Sequence, residues 1–194
     1  IEAAVELAAG DVLAQIARGE LDGGFYLVPP DALGEENGQK VPEPGVEWSK
    51  SAIDFEVIIL TRFTYRVLAP AGWGPQVLGR DWKALGALPW LATPPASVHH
   101  RLLARVFGPG SASGVEPRRV ALVDQEASML DLVKSGVGLS LVRDSIAIRE
   151  SQARGLVVAD RVSLDCALSF VCQRSRKDEP VIASARQALA AVWG

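Results

Sequence analysis

The stretch VALVDQEASMLDLVKSGVGLSLV, residues 120–142, predicts the fold of this chain more clearly than any other segment. Residues 120–123 and 137–142 are short apolar runs typical of buried strands, and apolar residues between them recur at helical spacing. Strand, helix and strand in this order form a βαβ unit, which produces parallel strands. The N-terminus of the helix then lies at the carboxyl ends of the strands. Such a corner binds small anions in many folds, so the stretch predicts a ligand site that need not be catalytic.

Two residues mark the ends of this predicted helix. Asp124 can accept a hydrogen bond from a free backbone N–H of the first turn. Gly136 follows the last apolar position and is suited to stop a helix. The apolar face between them is predicted to consist of Met129, Leu132 and Val133.

The composition predicts a sizeable core and excludes several classes of protein. The 194 residues fit one domain or two small lobes, and 48% of them are hydrophobic. No apolar run reaches the roughly 18 residues that a membrane span needs. Residues 1–9 contain acidic but no basic residues, so we predict no secretory signal, a cytoplasmic location and no membrane partner. A net charge of -3 argues against a broad nucleic-acid-binding face.

The two cysteines, Cys166 and Cys172, lie in one predicted strand. Six residues of strand span about 20 Å, which is beyond the reach of a disulfide. We therefore predict two buried, reduced thiols. No C-x-x-C motif or paired histidines accompany them, so the sequence predicts no metal site.

Strands and helices alternate along the rest of the chain. Strands are predicted at 3–7, 24–28, 55–60, 64–69, 90–92, 156–158 and 166–172, with a turn at 61–63. Helices are predicted at 12–18 with Asp11 as its cap, at 82–85, at 98–107 with Ser97 as its cap, at 145–153 and from Pro180 onward. The stripe of the last helix is predicted to be Val181, Ile182, Ala185, Ala188, Leu189 and Val192. Residues 31–54 are polar, contain Pro and Gly, and predict a surface excursion held by Trp48.

Three segments in this order resemble one family. GELD at 19–22, LPWLAT at 88–93 and LVKSGVGLSLV at 132–142, with the closing strand and helix, resemble the effector-binding domain of LysR-type transcriptional regulators. The resemblance covers nearly all of the chain. It implies an α/β fold of two Rossmann-like lobes joined by two crossing strands, like the type 2 periplasmic binding proteins. Lobe I would hold 1–66 plus 164–194, lobe II would hold 67–163, and the crossing strands would be 64–69 and 164–172.

The sequence departs from the family pattern in four places. The N-terminal winged helix-turn-helix domain with its linker helix is absent from this chain, and we expect the first strand and helix of the effector domain to be absent too. DNA would then be a partner only through the missing N-terminal domain. Arg143 stands where the family usually has proline, and the 31–54 stretch is longer than expected.

The resemblance implies a small-molecule effector, here expected to be an organic anion, bound between two lobes. Such a ligand shifts a conformational equilibrium by its difference in affinity for the two states. The predicted contact residues are Thr93, Pro94, Pro95 and Ser97 at one strand-to-helix corner, Gln125, Glu126 and Ser128 at a second, Pro29 and Pro30 after the strand at 24–28, and Arg143.

Each of these residues also has a purely structural interpretation. The first corner can consist of helix caps and turn formers, and the second of a solvated first turn. Pro29 and Pro30 can simply end a strand, and Arg143 can form a surface salt bridge. These alternatives remain open at the level of the sequence.

Other features do not predict chemistry. His99 and His100 are adjacent on a helix, so their side chains diverge by about 100° and cannot chelate one ion. No G-x-S-x-G motif accompanies the serines, and Gly136 and Gly138 enter a strand, the reverse of a dinucleotide fingerprint. The short basic clusters at 118–119 and 174–177 are interpreted as solvated loop charge. We therefore predict no catalytic residue, no metal and no cofactor.

Three classes of function remain for a chain with these features. The favoured one is the ligand-sensing and oligomerising domain of a bacterial regulator, with a second copy of the chain, as a homodimer or tetramer, among its partners. The alternative is a periplasmic solute-binding protein of a transporter, which would need a secretion signal. An enzyme would need a nucleophile and base or a carboxylate pair, and the sequence shows neither.

Overall fold

The computed structural model describes residues 9–28, 54–95, 97–108, 111 and 113–193. These residues fall into two units. Unit 1 holds the described residues up to Phe63 and from Asp165 onward, and unit 2 runs from Thr64 to Leu164. No helix among the described residues is long and apolar enough to cross a membrane. The predicted strand at 3–7 and residues 29–53, with Pro29, Pro30 and Trp48, lie outside the described part of the chain.

Unit 1 contains two helices packed on antiparallel strands. Its elements are α1 (Ala9–Ala17), β1 (Gly23–Val28), the first part of β2 (Phe55–Ala69), the last part of β6 (Val157–Gln173) and α7 (Pro180–Trp193). β1 pairs antiparallel with β6, from Gly23 opposite Cys172 to Val28 opposite Ala167. The four-stranded sheet has the order β1-β6-β2-β5, where β5 (Ser140–Arg143) belongs to unit 2.

The core of unit 1 lies on both faces of β6, because successive side chains of a strand point to opposite faces. Val171 packs with Tyr26 and with Ile16 of α1. Phe170 and Cys172 pack on the other face, against α7. Both cysteines are free and buried, as predicted.

Three of the six residues predicted for the stripe of α7 pack on the core, and three do not. Ile182 is buried, and Ala185 and Leu189 pack beside it. Ala188 is exposed, and Val181 and Val192 are 56% and 76% exposed. The helix buries a narrower face than its composition suggests.

Two arginines after β6 form ion pairs with other segments of unit 1. Arg174 Nε lies 2.7 Å from Asp54 and its Nη1 2.9 Å from Glu56. Arg176 Nη2 lies 2.7 Å from Asp22. The interpretation of these arginines as solvated charge is therefore wrong.

Unit 2 contains the stretch that predicts the fold. Its elements are the rest of β2, α2 (Gly74–Val77), α3 (Trp82–Gly86), β3 (Pro89–Ala92), α4 (Val98–Ala104), β4 (Arg118–Leu122), α5 (Glu126–Lys134), β5 (Ser140–Arg143), α6 (Asp144–Arg154) and the start of β6. The helices α3, α4, α5 and α6 follow the predicted pattern. α4 ends three residues early, at Ala104.

The βαβ unit is built around β3. β4 pairs parallel with one edge of β3, from Pro89 opposite Arg118 to Ala92 opposite Leu122. Leu139 bridges Trp90 in parallel on the other edge, where the Leu139 N–H donates to the Pro89 carbonyl over 2.8 Å. The predicted parallel arrangement is confirmed at these positions. It is wrong for β5 itself, which pairs antiparallel with β2.

The two ends of α5 differ in how well they were predicted. Gly136 has a φ of 82°, and its N–H donates to the Val133 carbonyl over 3.0 Å, so the glycine stop is confirmed. Asp124 is not the cap, because α5 begins at Glu126 with Gln125 in the cap position. α1 likewise already includes Asp11, which is therefore not its cap.

Two long strands replace four predicted short ones. β2 is continuous from Phe55 to Ala69, so no turn interrupts it at 61–63. β6 is continuous from Val157 to Gln173 and joins the strands predicted at 156–158 and 166–172. In each case paired backbone continues through polar residues that a local reading assigns to loops.

A buried ion pair joins α5 to α6. Glu150 is 6% exposed, and its carboxylate lies 3.4 Å from Lys134 Nζ, 3.3 Å from Arg149 and 3.4 Å from Arg154. Burial alone would raise the pKa of Glu150. However, Lys134 and Arg149 donate hydrogen bonds to its carboxylate and add their positive charges, and together these effects hold the pKa below its ordinary value. The carboxylate therefore stays ionised and can fix the two helix ends together.

Gly138 permits the pairing of Leu139 with β3. Replacing Gly138 with a larger residue tests this role. A Cβ at position 138 would lie 2.7 Å from the Pro89 carbonyl oxygen, which is backbone and cannot rotate away. We expect Gly138→Ala to lower the free energy of unfolding by about 1 to 3 kcal/mol, as overpacking does. Urea denaturation measures this. Gly114→Asn is the matched control, because Gly114 has a φ of 64° with open space around it, and equal losses in the two variants would contradict the explanation.

Candidate functional site

The first predicted corner follows β3. Thr93 is 5% exposed, Ser97 and Pro94 are half-buried, and Pro95 is exposed. The Ser97 hydroxyl donates to Thr93 Oγ1 over 2.5 Å and accepts from the His100 N–H over 3.1 Å. Ser97 thus caps α4, as predicted, and ties it to the end of β3.

The second corner follows β4. Val123 is buried, Gln125 and Ser128 are exposed, and Glu126 is half-buried. Gln125 occupies the cap position of α5 but its side chain makes no capping hydrogen bond. The first-turn N–H groups of α5 therefore receive no hydrogen bond from the Gln125 side chain. They form the N-terminal end of the helix, which favours negative charge.

The sheet brings the two corners together. The Val123 N–H donates to the Ala92 carbonyl over 2.8 Å, so Thr93 and Asp124 leave adjacent parallel strands side by side. Such strands lie about 4.8 Å apart. Thr93 and Ser97 at one corner and Gln125 and Ser128 at the other consequently belong to one edge of unit 2.

Arg143 also lies near this edge. Its side chain is exposed, and its positive charge acts on His99 in the first turn of α4. Pro29 and Pro30, the remaining predicted contacts, lie outside the described residues. The structure therefore associates eight of the ten predicted residues with unit 2.

His99 was missed as a functional residue by reasoning from the sequence. Its ring stands edge-on to Tyr65, with ring centroids 5.5 Å apart. Its Nε2 is buried and has no hydrogen-bond partner. Burial, assisted by the charge of Arg143, lowers the pKa of His99 to about 4. No local signal marks this residue, because β2 and β5 supply its surroundings.

The groups at this edge are suited to bind a ligand. They are two hydroxyls at Thr93 and Ser97, the first-turn N–H groups of α5, a neutral imidazole and the nearby Arg143. Within the described ranges, no group of three His, Cys, Asp or Glu side chains could hold a metal ion.

Comparison with known proteins identifies the family of the fold. The family model described as LysR substrate binding domain matches residues 2–194. A search of curated proteins gave no match. Among solved structures, the regulatory domain of HypT from Salmonella typhimurium in its apo form has a TM-score of 0.63 at 14% identity, over 96% of this chain and 79% of that one.

Two further structures are similar in fold. The regulatory domain of CcmR from Synechocystis PCC6803, in complex with 2-PG, has a TM-score of 0.65 at 14% identity, over 95% of this chain and 79% of that one. Full-length LysG from Corynebacterium glutamicum, with bound effector Arg, has a TM-score of 0.59 at 19% identity, over 94% of this chain and 55% of that one. With the family match, these likenesses confirm the predicted α/β fold, like that of the type 2 periplasmic binding proteins.

The neutral state of His99 has a measurable consequence. Because the pKa of His99 falls from 6.5 to about 4 on folding, the unfolded chain takes up a proton between these values and the folded protein does not. Stability should therefore fall as the pH decreases from 6.5 toward 4. We expect His99→Gln to reduce this slope by up to about one proton per molecule. Urea denaturation across this range measures it, and equal slopes in the two proteins would show that His99 titrates normally.

Proposed function

This chain belongs to the family of LysR substrate-binding domains, and on that premise we propose that it is the ligand-sensing domain of a LysR-type regulator that recognises a small organic anion at the α4–α5 edge of unit 2. The family consists of effector-binding domains of transcriptional regulators, not of enzymes. LysR-type regulators bind DNA through a separate N-terminal domain. The protein's response to its ligand would accordingly be a change of conformational equilibrium.

The adjacency of the two corners carries this proposal. The hydrogen bond between Val123 and Ala92 places Thr93 beside the start of α5, a helix of nine residues. The positive end of a helix favours an anion by about 0.3 to 1 kcal/mol when exposed and by up to about 2 kcal/mol when partly buried. Hydroxyls at Thr93, Ser97 and Ser128 would then fix the orientation of the ligand.

The charge distribution favours the same class of ligand. Unit 2 contains twelve Lys and Arg against eight Asp and Glu, a net charge of +4, whereas the rest of the chain contains eight against fifteen, a net charge of -7. A positive unit raises the local concentration of anions. Arg143 supplies a positive charge that acts on the first turn of α4, where His99 is neutral.

The names of the similar structures do not identify the ligand. HypT has been solved with a bromide ion, QuiR with shikimate and LysG with effector Arg. These ligands differ in chemistry, so the choice of an organic anion depends on the groups of this chain alone.

A bulky residue at position 128 tests the site. Ser128 is exposed in the first turn of α5 and outside the core, so Ser128→Leu should fold normally. We expect it to weaken the binding of a small carboxylate at least about tenfold. The leucine side chain would cover the first-turn N–H groups, and the ligand would lose roughly 1.4 kcal/mol of interaction with them. Calorimetry with a panel of small mono- and dicarboxylates measures this effect. Ser163→Leu, exposed in β6 of the same unit, is the control. Binding that is unchanged by Ser128→Leu would place the site elsewhere.

We further propose that the chain self-associates as a homodimer or a tetramer. Two apolar residues of β4, Val120 and Leu122, are 42% and 71% exposed. β4 is also an edge strand of its two-stranded sheet. The opposite net charges of the two units favour an antiparallel two-fold pair, in which unit 2 of one copy meets unit 1 of the other.

A charge at the exposed position 122 of β4 tests self-association. We expect Leu122→Glu to lower the sedimentation mass toward that of a monomer at micromolar concentration, because it buries a carboxylate in the interface. Leu78→Glu is the matched control, since Leu78 is also exposed in unit 2 but lies on another segment. Raised salt should weaken the pair as well. A wild-type protein that is strictly monomeric would refute the proposal.

A further inference from the structure

A small cavity lies beneath α4 in unit 2. It has a volume of about 30 Å³. It is lined by Trp90, Leu91, Ala92, Thr93, His100, Leu103, Ala104, Phe107, Pro117 and Arg119. None of its lining residues belongs to the α5 corner, although Thr93 is shared with the α4 corner. The cavity is therefore a separate space that the proposed anion site leaves unused.

The walls of the cavity are mostly apolar. His100, Leu103 and Ala104 follow the i, i+3, i+4 pattern that places side chains on one face of α4, and Phe107 follows the helix. β3 supplies the floor with Trp90 and Leu91. Ala92 and Ala104 are small, which leaves space where larger residues would bring helix and sheet into contact.

The aromatic walls are held in place by their own contacts. The Trp90 indole Nε1–H donates to the Leu85 carbonyl over 2.8 Å. The ring of Phe107 stands edge-on to Trp90, with centroids 5.2 Å apart, and edge-on to Trp82 at 5.7 Å. These rings cannot turn to fill the space without breaking those contacts.

One cation stands at the rim. Arg119 lies opposite Trp90 in the register of β4 with β3. Its partner Glu116 is 3.4 Å away, and both side chains are more than half exposed, at 51% and 59%. Such surface pairs contribute at most about 1 kcal/mol. A ligand carboxylate can therefore replace Glu116 without a large penalty.

The size of the cavity limits the ligand. A volume of about 30 Å³ is two to three times the roughly 10 to 15 Å³ that one water needs, and it is far below the roughly 150 Å³ of a cavity that admits a benzene ring. The cavity can therefore take about two or three non-hydrogen atoms, such as the end of a short alkyl chain.

We propose that this cavity is a second small-molecule site, which takes a short-chain aliphatic carboxylate. The alkyl chain lies between Leu103, Ala104 and Trp90, and the carboxylate pairs with Arg119. Because Thr93 lines both spaces, a ligand here contacts the end of β3 that the α4 corner uses.

Titration with butyrate, followed by ¹H–¹⁵N NMR of the 194-residue chain, tests the proposal. The readout is the indole N–H signal of Trp90, identified by its loss in Trp90→Phe. We expect millimolar butyrate to shift this signal saturably, and neutral butyramide to bind more weakly. Ser128→Leu should leave the shift unchanged, which separates this site from the proposed anion site.

Two kinds of variant locate the ligand. Ala104→Leu should abolish the shift by filling the cavity, and Ala92→Val, which suits a strand, fills it from the other side if the first variant does not fold. Arg119→Gln should weaken butyrate about fivefold, the loss expected from an exposed charge pair. Arg118→Gln is the matched control, because Arg118 precedes Arg119 in β4 and its side chain points to the opposite face of the strand. No saturable shift in the wild type, an unchanged shift in the folded cavity-filling variant, or equal losses in the two arginine variants would overturn the proposal.

Discussion

The architecture of unit 2 depends on the pairing of β3 on both of its edges. β4 supplies hydrogen bonds on one side, and the backbone at Leu139 supplies them on the other. This pairing satisfies the main-chain groups of a strand whose Trp90 and Leu91 are 1% and 2% exposed, where unpaired groups would be costly. It also requires a glycine at 138, because the chain passes directly against the Pro89 carbonyl. The adjacency of the two helix N-termini follows from the same pairing, so the position of the proposed binding edge depends on the hydrogen bonds of the core.

Signals that lie close together along the chain predicted the fold well. The apolar spacing of α5 and the glycine at 136 are local, and both are confirmed by the structure. The prediction of a turn at 61–63 is wrong. Thr61, Arg62 and Phe63 include neither Gly nor Pro, and β2 continues through them as a strand. The length of β6 was present in the sequence, since buried Val162, Leu164 and Cys166 alternate with exposed Arg161, Ser163 and Asp165. The prediction ends the strand at 158 and starts the next at 166, because the outward residues between them are polar or charged, as in a loop.

The candidate site was predictable in position but not in its electrostatic detail. Thr93, Ser97 and Gln125 stand where strands lead into helices, so the order of elements is sufficient to find them. The neutral imidazole of His99 depends on Tyr65 and Arg143, which reach it from two other strands. The cavity beneath α4 is lined by the small side chains of Ala92 from β3 and Ala104 from α4. No pattern within one segment encodes such contacts, and the ion pairs of Arg174 and Arg176 escaped prediction for the same reason.

The two long strands also constrain how this sequence can evolve. β2 and β6 each contribute to both units, with 15 and 17 residues. Because side chains alternate between faces, losing one residue from the middle of β6 would move every later side chain to the opposite face. A deletion there would place Phe170 and Cys172 on the face that packs against α1, and Val171 on the face that packs against α7, while leaving the earlier half of the strand correctly placed in unit 2. Changes in chain length should therefore accumulate in segments such as 113–117, whereas related sequences should keep the lengths of β2 and β6 fixed.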